Sequence, residues 1–420
     1  MRIAILLNIF PRTSETFIVN QIVGLIERGH TVDIFARHRN SEPVHPLIKK
    51  YQLIDRTQYL TIPANRKERV LAAAKIILKW GWRRPLDLLR SMNVFRYGRS
   101  AINLQLLCSQ AFFLETSQKG SAYDIIHCHY GPEGVFGLHL RDIGAVKGPV
   151  LTTFHGYDIS LYVQQHGPGV YKQLFACGDL FTCPSEFIRK RLITAGCPAE
   201  KVEKFKLGTN LKRFSFKERT VDSSGAIRLV TVARLTEKKG LEYSIRAVAR
   251  LSQRLKKLEY NIIGDGELRP QLTQLIEALG VGSTVHLLGW KTQEEVQVLL
   301  DQSHVFVLAS VEGRNGDIEG LPMVLQEAQA MGLPVVCTRH SGIPEGMLDG
   351  KSGFLVPERD VDTLADRLAD VVSRPEAWPE MGRQGRAFIE TEYDLDKRND
   401  ALVELYSQVQ ERHLSRRSHC

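Results

Sequence analysis

IRLVTVARLTEKKGLEYSI, residues 227–245, changes its hydrophobic period halfway through. Ile227–Ala233 is a short apolar run, the pattern of a strand buried on both faces of a sheet. From about Leu241 the pattern is helical. Between them, Arg234-Leu-Thr-Glu-Lys-Lys239-Gly240 leaves the strand's carboxyl end with two cations flanking a helix start. Free N–H groups and the helix dipole favour anions there, and a diphosphate suits the combination.

The same passage from strand to helix recurs along the chain. Arg2–Leu7, Thr31–Ala36, Tyr123–His129, Val150–Phe154, Leu180–Cys183 and Val202–Leu207 predict one sheet. Ile227–Ala233, Glu259–Ile263, Thr284–Leu288, His304–Leu308, Pro334–Cys337 and Phe354–Val356 predict a second. Alternation of this kind predicts parallel sheets with helices on both faces, twice over. A chain of 420 residues is also too long for one core. The expected division is 1–215, a polar linker FKERTVDSSGAI at 216–227, and 228–395; the tail HLSRRSHC reads as disordered.

Bulk properties narrow the class. Hydrophobic content of 43% and charged content of 25% are ordinary for a soluble globular protein. MRIAILLNIF lacks the length and cleavage site of a signal peptide and reads as a first strand. No apolar run is long enough to span a bilayer. Seven cysteines, with no Cys-x-x-Cys pair, predict buried free thiols in a reducing cytoplasm. The net charge of +9 divides into +14 for residues 1–215 and −5 for 216–420. The basic half is expected to face something anionic, either nucleic acid or a membrane surface.

One segment breaks the alternation. Residues 65–107 are helical in pattern and carry ten Lys/Arg against Glu68 and Asp87, with Trp80, Trp82, Phe95 and Tyr97 interleaved. A solvated helical excursion and an interfacial surface for anionic lipid are equally consistent with that pattern.

Ligands of open parallel sheets sit outside the carboxyl ends of the strands. After His304–Leu308 comes DIEGLPMVLQEAQAMGLPVV, residues 317–336. Pro322 suits a first helical turn, and Leu321, Val324, Leu325, Ala328 and Met331 trace an apolar stripe. Glu319 precedes that helix and Glu327 lies off the stripe. Carboxylates accept paired hydroxyls, so these two could hold a sugar and a ribose with a diphosphate between. The simpler alternatives are dipole stabilisation by Glu319 and a solvated position for Glu327. Gly264, in Ile-Ile-Gly-Asp-Gly, lets backbone approach a ligand. His155 ends a strand beside a glycine and is expected in the interdomain crevice. His127 and His129 share a strand face, where packing is favoured over a metal for want of a third ligand. Asp360-Val-Asp362 and Asp394-Leu-Asp396 read as helix starts. Neither a Walker loop nor a Gly-x-Gly-x-x-Gly turn is present.

Val-Ala-Arg234-Leu-Thr-Glu-Lys-Lys239-Gly and Glu319-Gly-Leu-Pro-Met-Val-Leu-Gln-Glu327-Ala resemble the retaining GT-B glycosyltransferases with a Glu–seven residues–Glu motif. Phe-Pro-Arg-Thr-Ser14-Glu15-Thr16-Phe17, His129-Tyr-Gly-Pro, Phe-His155-Gly-Tyr-Asp158 and His340-Ser-Gly-Ile-Pro-Glu345 look most like the colanic acid type of exopolysaccharide enzyme. The resemblance implies an α/β fold of two Rossmann-like domains facing each other across a cleft. Its last helix, about 396–412, would cross back to the first domain. Arg234 and Lys239 would bind the donor diphosphate, aided by the backbone N–H groups of the turn from Gly320 to Met323, which Gly320, Leu321 and Met323 supply around Pro322. Glu319 would hold donor-sugar hydroxyls, Glu327 the ribose, and Gly264 would border the donor. His155 would lie near the reacting face, with Ser14, Glu15, Thr16, His129 and Asp158 on the acceptor side. Ala309 stands where the family often has Pro, and Asn210 where it has Asp.

The expected activity is retaining transfer of a hexose from a UDP- or GDP-sugar to a lipid-linked oligosaccharide or exopolysaccharide. No cofactor, metal or nucleic acid is expected, and the location is the cytoplasm, with peripheral contact at the inner face of the membrane. A nucleotide-sugar epimerase is the rival enzyme reading. A basic nucleic-acid-binding protein is the rival outside enzymes.

Overall fold

Apolar runs buried on both faces build two parallel sheets. The computed structural model describes residues 1–12, 15–40, 45–60, 62–63, 65–116 and 121–418. In chain order the first domain contributes β1 (Arg2–Phe10), β2 (Thr31–Arg39), β3 (Thr57–Tyr59), β4 (Ser121–Ala122), β5 (Ile125–His129), β6 (Val146–Lys147), β7 (Val150–Thr153), β8 (Leu180–Cys183) and β9 (Val202–Lys204). Its sheet runs β3-β2-β1-β5-β7-β8-β9, with β4 and β6 paired separately. The second domain contributes β10 (Ile227–Val232), β11 (Leu258–Ile263), β12 (Val285–Gly289), β13 (Val305–Leu308), β14 (Val335–Thr338) and β15 (Gly353–Val356), in the order β12-β11-β10-β13-β14-β15. Every expected strand is present. β3, β4 and β6 are additions, two or three residues long, too short to carry a period.

In both sheets the order of strand addition reverses beside the first strand, between β1 and β5 and between β10 and β13, while all strands stay parallel. Crevices for ligands open at such switch points. The helix Leu241–Ser252, which follows β10, buries Leu241, Ile245 and Val248 against the second sheet. Gly240 enters that helix at φ +59, and a Cβ there would lie 1.8 Å from the Ala309 carbonyl oxygen. The loops after β10 and β13 are therefore packed backbone to backbone.

The segment 216–226 connects the two domains without helix or strand and is anchored by Arg219, which is buried and donates to the carbonyls of Asp301, Ser303 and Met331. Two expectations need correcting. The last helix spans Leu395–Ser418, so the tail is helical through Ser418, and its residues 419–420 lie outside the described residues. Leu402, Leu405, Tyr406 and Val409, at i, i+3, i+4 and i+7, dock that helix in the core of the first domain. His413 Nδ1 adds a contact to Asp179 at 3.1 Å. Finally, Cys177 is an exposed thiol, while Cys108, Cys128, Cys183, Cys197 and Cys337 are buried and free.

Residues 65–107 form the helices Arg66–Trp80, Pro85–Ser91, Val94–Tyr97 and Arg99–Ile102 and lead into Gln105–Glu115. Ala73, Leu88 and Leu107 make a small core there, with Ile76 and Trp80 against it.

Candidate functional site

The loops after β10 and β13 bring three charges together. Lys238 and Lys239 are both nearly buried just before Gly240. Lys239 Nζ lies 2.6 Å from Glu319 Oε2, and Lys238 Nζ 3.3 Å from Oε1. Lys238 also reaches Asp317 Oδ2 at 3.1 Å and the Ile318 carbonyl at 3.2 Å. Burial alone would raise the Glu319 carboxyl; the two ammoniums together outweigh it and hold it at about 2. Burial pulls Lys239 down, with Glu319 opposing. Lys238, adjacent to the expected Lys239, is a participant that sequence reasoning passed over.

Glu319 is also fixed through its backbone. Its N–H donates to His340 Nε2 at 3.2 Å, which leaves the imidazole proton on Nδ1, 2.7 Å from Glu358 Oε1. Ser341 Oγ donates to the Glu319 carbonyl. The helix that follows spans Met323–Ala330, with Pro322 at its cap. The side chains of Leu321 and Pro322 are buried, so the backbone is what this turn offers a ligand. Among the described residues the N–H groups of Gly320, Leu321 and Met323 make no hydrogen bond.

Glu327 is half-buried between the fully buried Gln326 and Ala328, so it does not ride a solvated face. Burial pushes its carboxyl up to about 7, with Arg213 opposing, and it makes no side-chain hydrogen bond among the described residues. Arg234 is exposed, and its guanidinium enters no ion pair among the described residues; its field reaches Glu15 in the opposite domain. Gly264, at φ +134, lets the loop after β11 lie against Ala233, where a Cβ would sit 1.9 Å from the carbonyl oxygen.

Across the cleft, His155 follows β7 in a loop pinned by Asp158. That buried carboxylate accepts from the N–H groups of His155 (3.0 Å), Gly156 (2.9 Å) and, at the start of the helix Gly131–Asp142, Gly131 (3.0 Å). Burial raises Asp158 to about 6 against those three bonds. His155 Nε2 is 3.3 Å from His129 Nδ1, and its ring lies 4.9 Å from Phe17 and 4.5 Å from Tyr130. Burial depresses both imidazoles, His129 to about 3, so the pair is neutral. Glu15 is buried, 3.1 Å from both the Arg12 guanidinium and the Tyr130 hydroxyl, and burial raises its carboxyl. Thr16 is the first residue of the helix Thr16–Glu27, and Ser14 lies outside the described residues. His127 is closed off by Tyr406 Oη at 2.6 Å and Thr153 Oγ1 at 2.7 Å, which is packing and no metal contact.

The two halves touch where the candidate residues are densest. A Cβ on Gly320 would lie 2.2 Å from the His155 carbonyl oxygen. Ile318, just before Glu319, is buried among Phe154, Ile159 and Leu174 of the first domain. Glu345 Oε1 accepts from the Glu186 N–H at 2.7 Å, at the start of the helix Glu186–Thr194, and Oε2 from Lys204 at 3.1 Å. Neither Glu345 nor Phe17 showed a role in sequence; each acquires one from a partner far away in the chain. Among the described residues no group of three or more His, Cys, Asp or Glu could hold a metal ion.

Comparison with known proteins follows the two-domain division. Residues 14–213 match the model described as Glycosyltransferase Family 4, and residues 213–388 the model described as Glycosyl transferases group 1. The chain is 39% identical over 374 residues to a Salmonella typhimurium protein provisionally named the colanic acid biosynthesis glycosyltransferase WcaL, covering 88% of this chain and 90% of that one. It is 35% identical over 409 residues to the amylovoran biosynthesis glycosyltransferase AmsK of Erwinia amylovora, covering 95% and 98%. The crystal structure of HepE of Anabaena in complex with UDP superposes with a TM-score of 0.70, covering 97% of this chain and all of that one, at 16% identity. At that identity the likeness speaks for the fold.

Proposed function

The chain belongs to the GT-B glycosyltransferases related to exopolysaccharide biosynthesis, and we propose that it moves a hexose from a UDP- or GDP-sugar to a lipid-linked oligosaccharide or exopolysaccharide acceptor, with retention and without a bound metal. One juxtaposition carries the proposal. Glu319, Lys238 and Lys239 meet at the carboxyl ends of β10 and β13, directly against the His155 loop of the other domain.

A donor would enter this cluster by exchanging partners. Its diphosphate would draw Lys239, Arg234 and the free N–H groups of Gly320, Leu321 and Met323, cancelling its charge in a poorly hydrated site. Glu319, released in part from Lys239, would accept from donor-sugar hydroxyls, and Glu327 from the ribose. Loss of the diphosphate leaves positive charge at the sugar carbon. The neutral His155 ring, held by His129 and Phe17, would lie against that face without repelling it. Asp158 is an unsuitable nucleophile, since backbone N–H groups occupy both its oxygens. Front-face attack by the acceptor hydroxyl requires no protein nucleophile. Closure of the domains excludes water that would otherwise hydrolyse the donor.

Nucleotide release from a panel of UDP- and GDP-sugars, with membrane extract as acceptor source and a chelator present, tests this. Glu319→Gln and Lys239→Ala should each lower turnover on the order of a hundredfold with circular dichroism unchanged. Near-wild-type turnover in both would overturn the site. Product formed from donor alone would move the activity to the epimerase class.

A further inference from the structure

The helical excursion turns apolar side chains outward. Of the seventeen exposed large apolar residues among those described, eleven lie between Val70 and Ile102. In Arg66–Trp80, the residues Ala73, Ile76 and Trp80 face the small core, while Leu71, Lys75 and Leu78 recur at i, i+4 and i+7 on the opposite face. In Pro85–Ser91, Leu88 and Ser91 are buried, and Leu86, Leu89 and Arg90 point away. Leu78 is 85% exposed, Trp82 93%, and Phe95 fully. A helix facing only water has no reason to present leucines and rings together, and a patch of this kind marks an interaction site.

Charge decides the partner. Arg66, Lys67, Lys75, Arg83, Arg84 and Arg90 are exposed and enter no ion pair among the described residues, whereas Lys79 pairs with Glu115 and Arg96 with Asp142. Glu68 and Asp87 are the segment's only acids. A second copy of the chain would press these cations against their own kind. We propose that this face seats the protein on an anionic lipid bilayer, with Trp82, Phe95 and the outward leucines at headgroup depth and the guanidiniums on lipid phosphate. No helix among the described residues is long and apolar enough to cross a membrane, so the contact lies along the surface.

Flotation of the full chain with vesicles of phosphatidylethanolamine and phosphatidylglycerol tests the contact, with phosphatidylcholine vesicles as the neutral arm. The measurement needs no sugar transfer, so its failure is distinguishable from failure of the transferase proposal. Wild type should float with the anionic vesicles only. Neutralising Arg83, Arg84 and Arg90 to Gln should weaken partitioning about a hundredfold, a factor of several per charge. Trp82→Ser with Phe95→Ser should abolish flotation at unchanged charge. These side chains are solvent-exposed, so both variants are expected to melt as wild type does. Absence of wild-type flotation, or flotation unchanged in both variants, overturns the proposal. Lipid-free dimerisation of wild type that is lost in the Ser variant also overturns it, and assigns the face to a second copy.

Discussion

Glu319→Gln is the sharpest test of the buried charge cluster, because its cost can be worked out and tied to pH. The Glu319 side chain is 10% exposed. Burial works against its charge, yet Lys239 and Lys238 hold the carboxyl at about 2 against an ordinary value of 4.5. At 1.36 kcal/mol per pH unit, that difference is worth about 3 kcal/mol of folding stability. A carboxylate whose pKa is lower when folded contributes fully above its unfolded value, and the contribution is lost as pH falls through the folded one. The window is therefore from about pH 4.5 down to about 2. The amide would leave Lys239 buried without its partner, while Lys238 keeps Asp317 at 3.1 Å. Breaking a buried pair typically costs about 3–5 kcal/mol, and the retained Asp317 contact places the expected loss near about 3. Urea unfolding followed by circular dichroism, run on wild type and variant between neutral pH and pH 3, reads this directly. The gap should be about 3 kcal/mol at neutral pH and shrink below pH 4.5. A gap under about 1 kcal/mol, or one of constant size across that range, refutes the reasoning.

Gly320→Ala places a methyl 2.2 Å from the His155 carbonyl, so the domains must part by about 1 Å. Transfer should fall about a hundredfold, and small-angle scattering should show a larger radius of gyration; wild-type activity would contradict this contact. Asp158→Asn turns an amide nitrogen toward a backbone N–H and should cost about 1–3 kcal/mol in chemical denaturation. Since burial raises the wild-type carboxyl to about 6, wild type loses stability as pH rises from about 4 to 6, and the gap to the Asn variant should narrow over that range. Tyr406→Phe strips His127 Nδ1 of its partner and should cost about 1–2 kcal/mol, and an unchanged melting temperature would contradict that role.

Parallel strands were legible because burial on both faces writes an uninterrupted apolar run, as in Val305–Leu308. The three-residue β3 has room for no such signature. The charged loop that carries Arg234 and Lys239 was legible because its residues lie next to one another in sequence. It was illegible where partners meet from afar: Glu345 and Glu186 are 159 positions apart, and Asp158 reaches back 27 to Gly131. Departures from the family pattern were readable only in three dimensions. Asn210 Oδ1 accepts from the N–H groups of Lys212 and Arg213, both at 3.1 Å, as an aspartate would. Which leucines of residues 65–107 turn outward was not readable in sequence, because that depends on packing against Leu107.

The final helix has a consequence for synthesis. Leu402, Leu405, Tyr406 and Val409 fill the same apolar cluster as Ile3, Ile5 and Ile22. The domain translated first thus waits, with part of its interior open, while the ribosome makes the whole of the second. A nascent chain stalled anywhere before residue 402 exposes that interior to chaperones and proteases, however well its second sheet has formed.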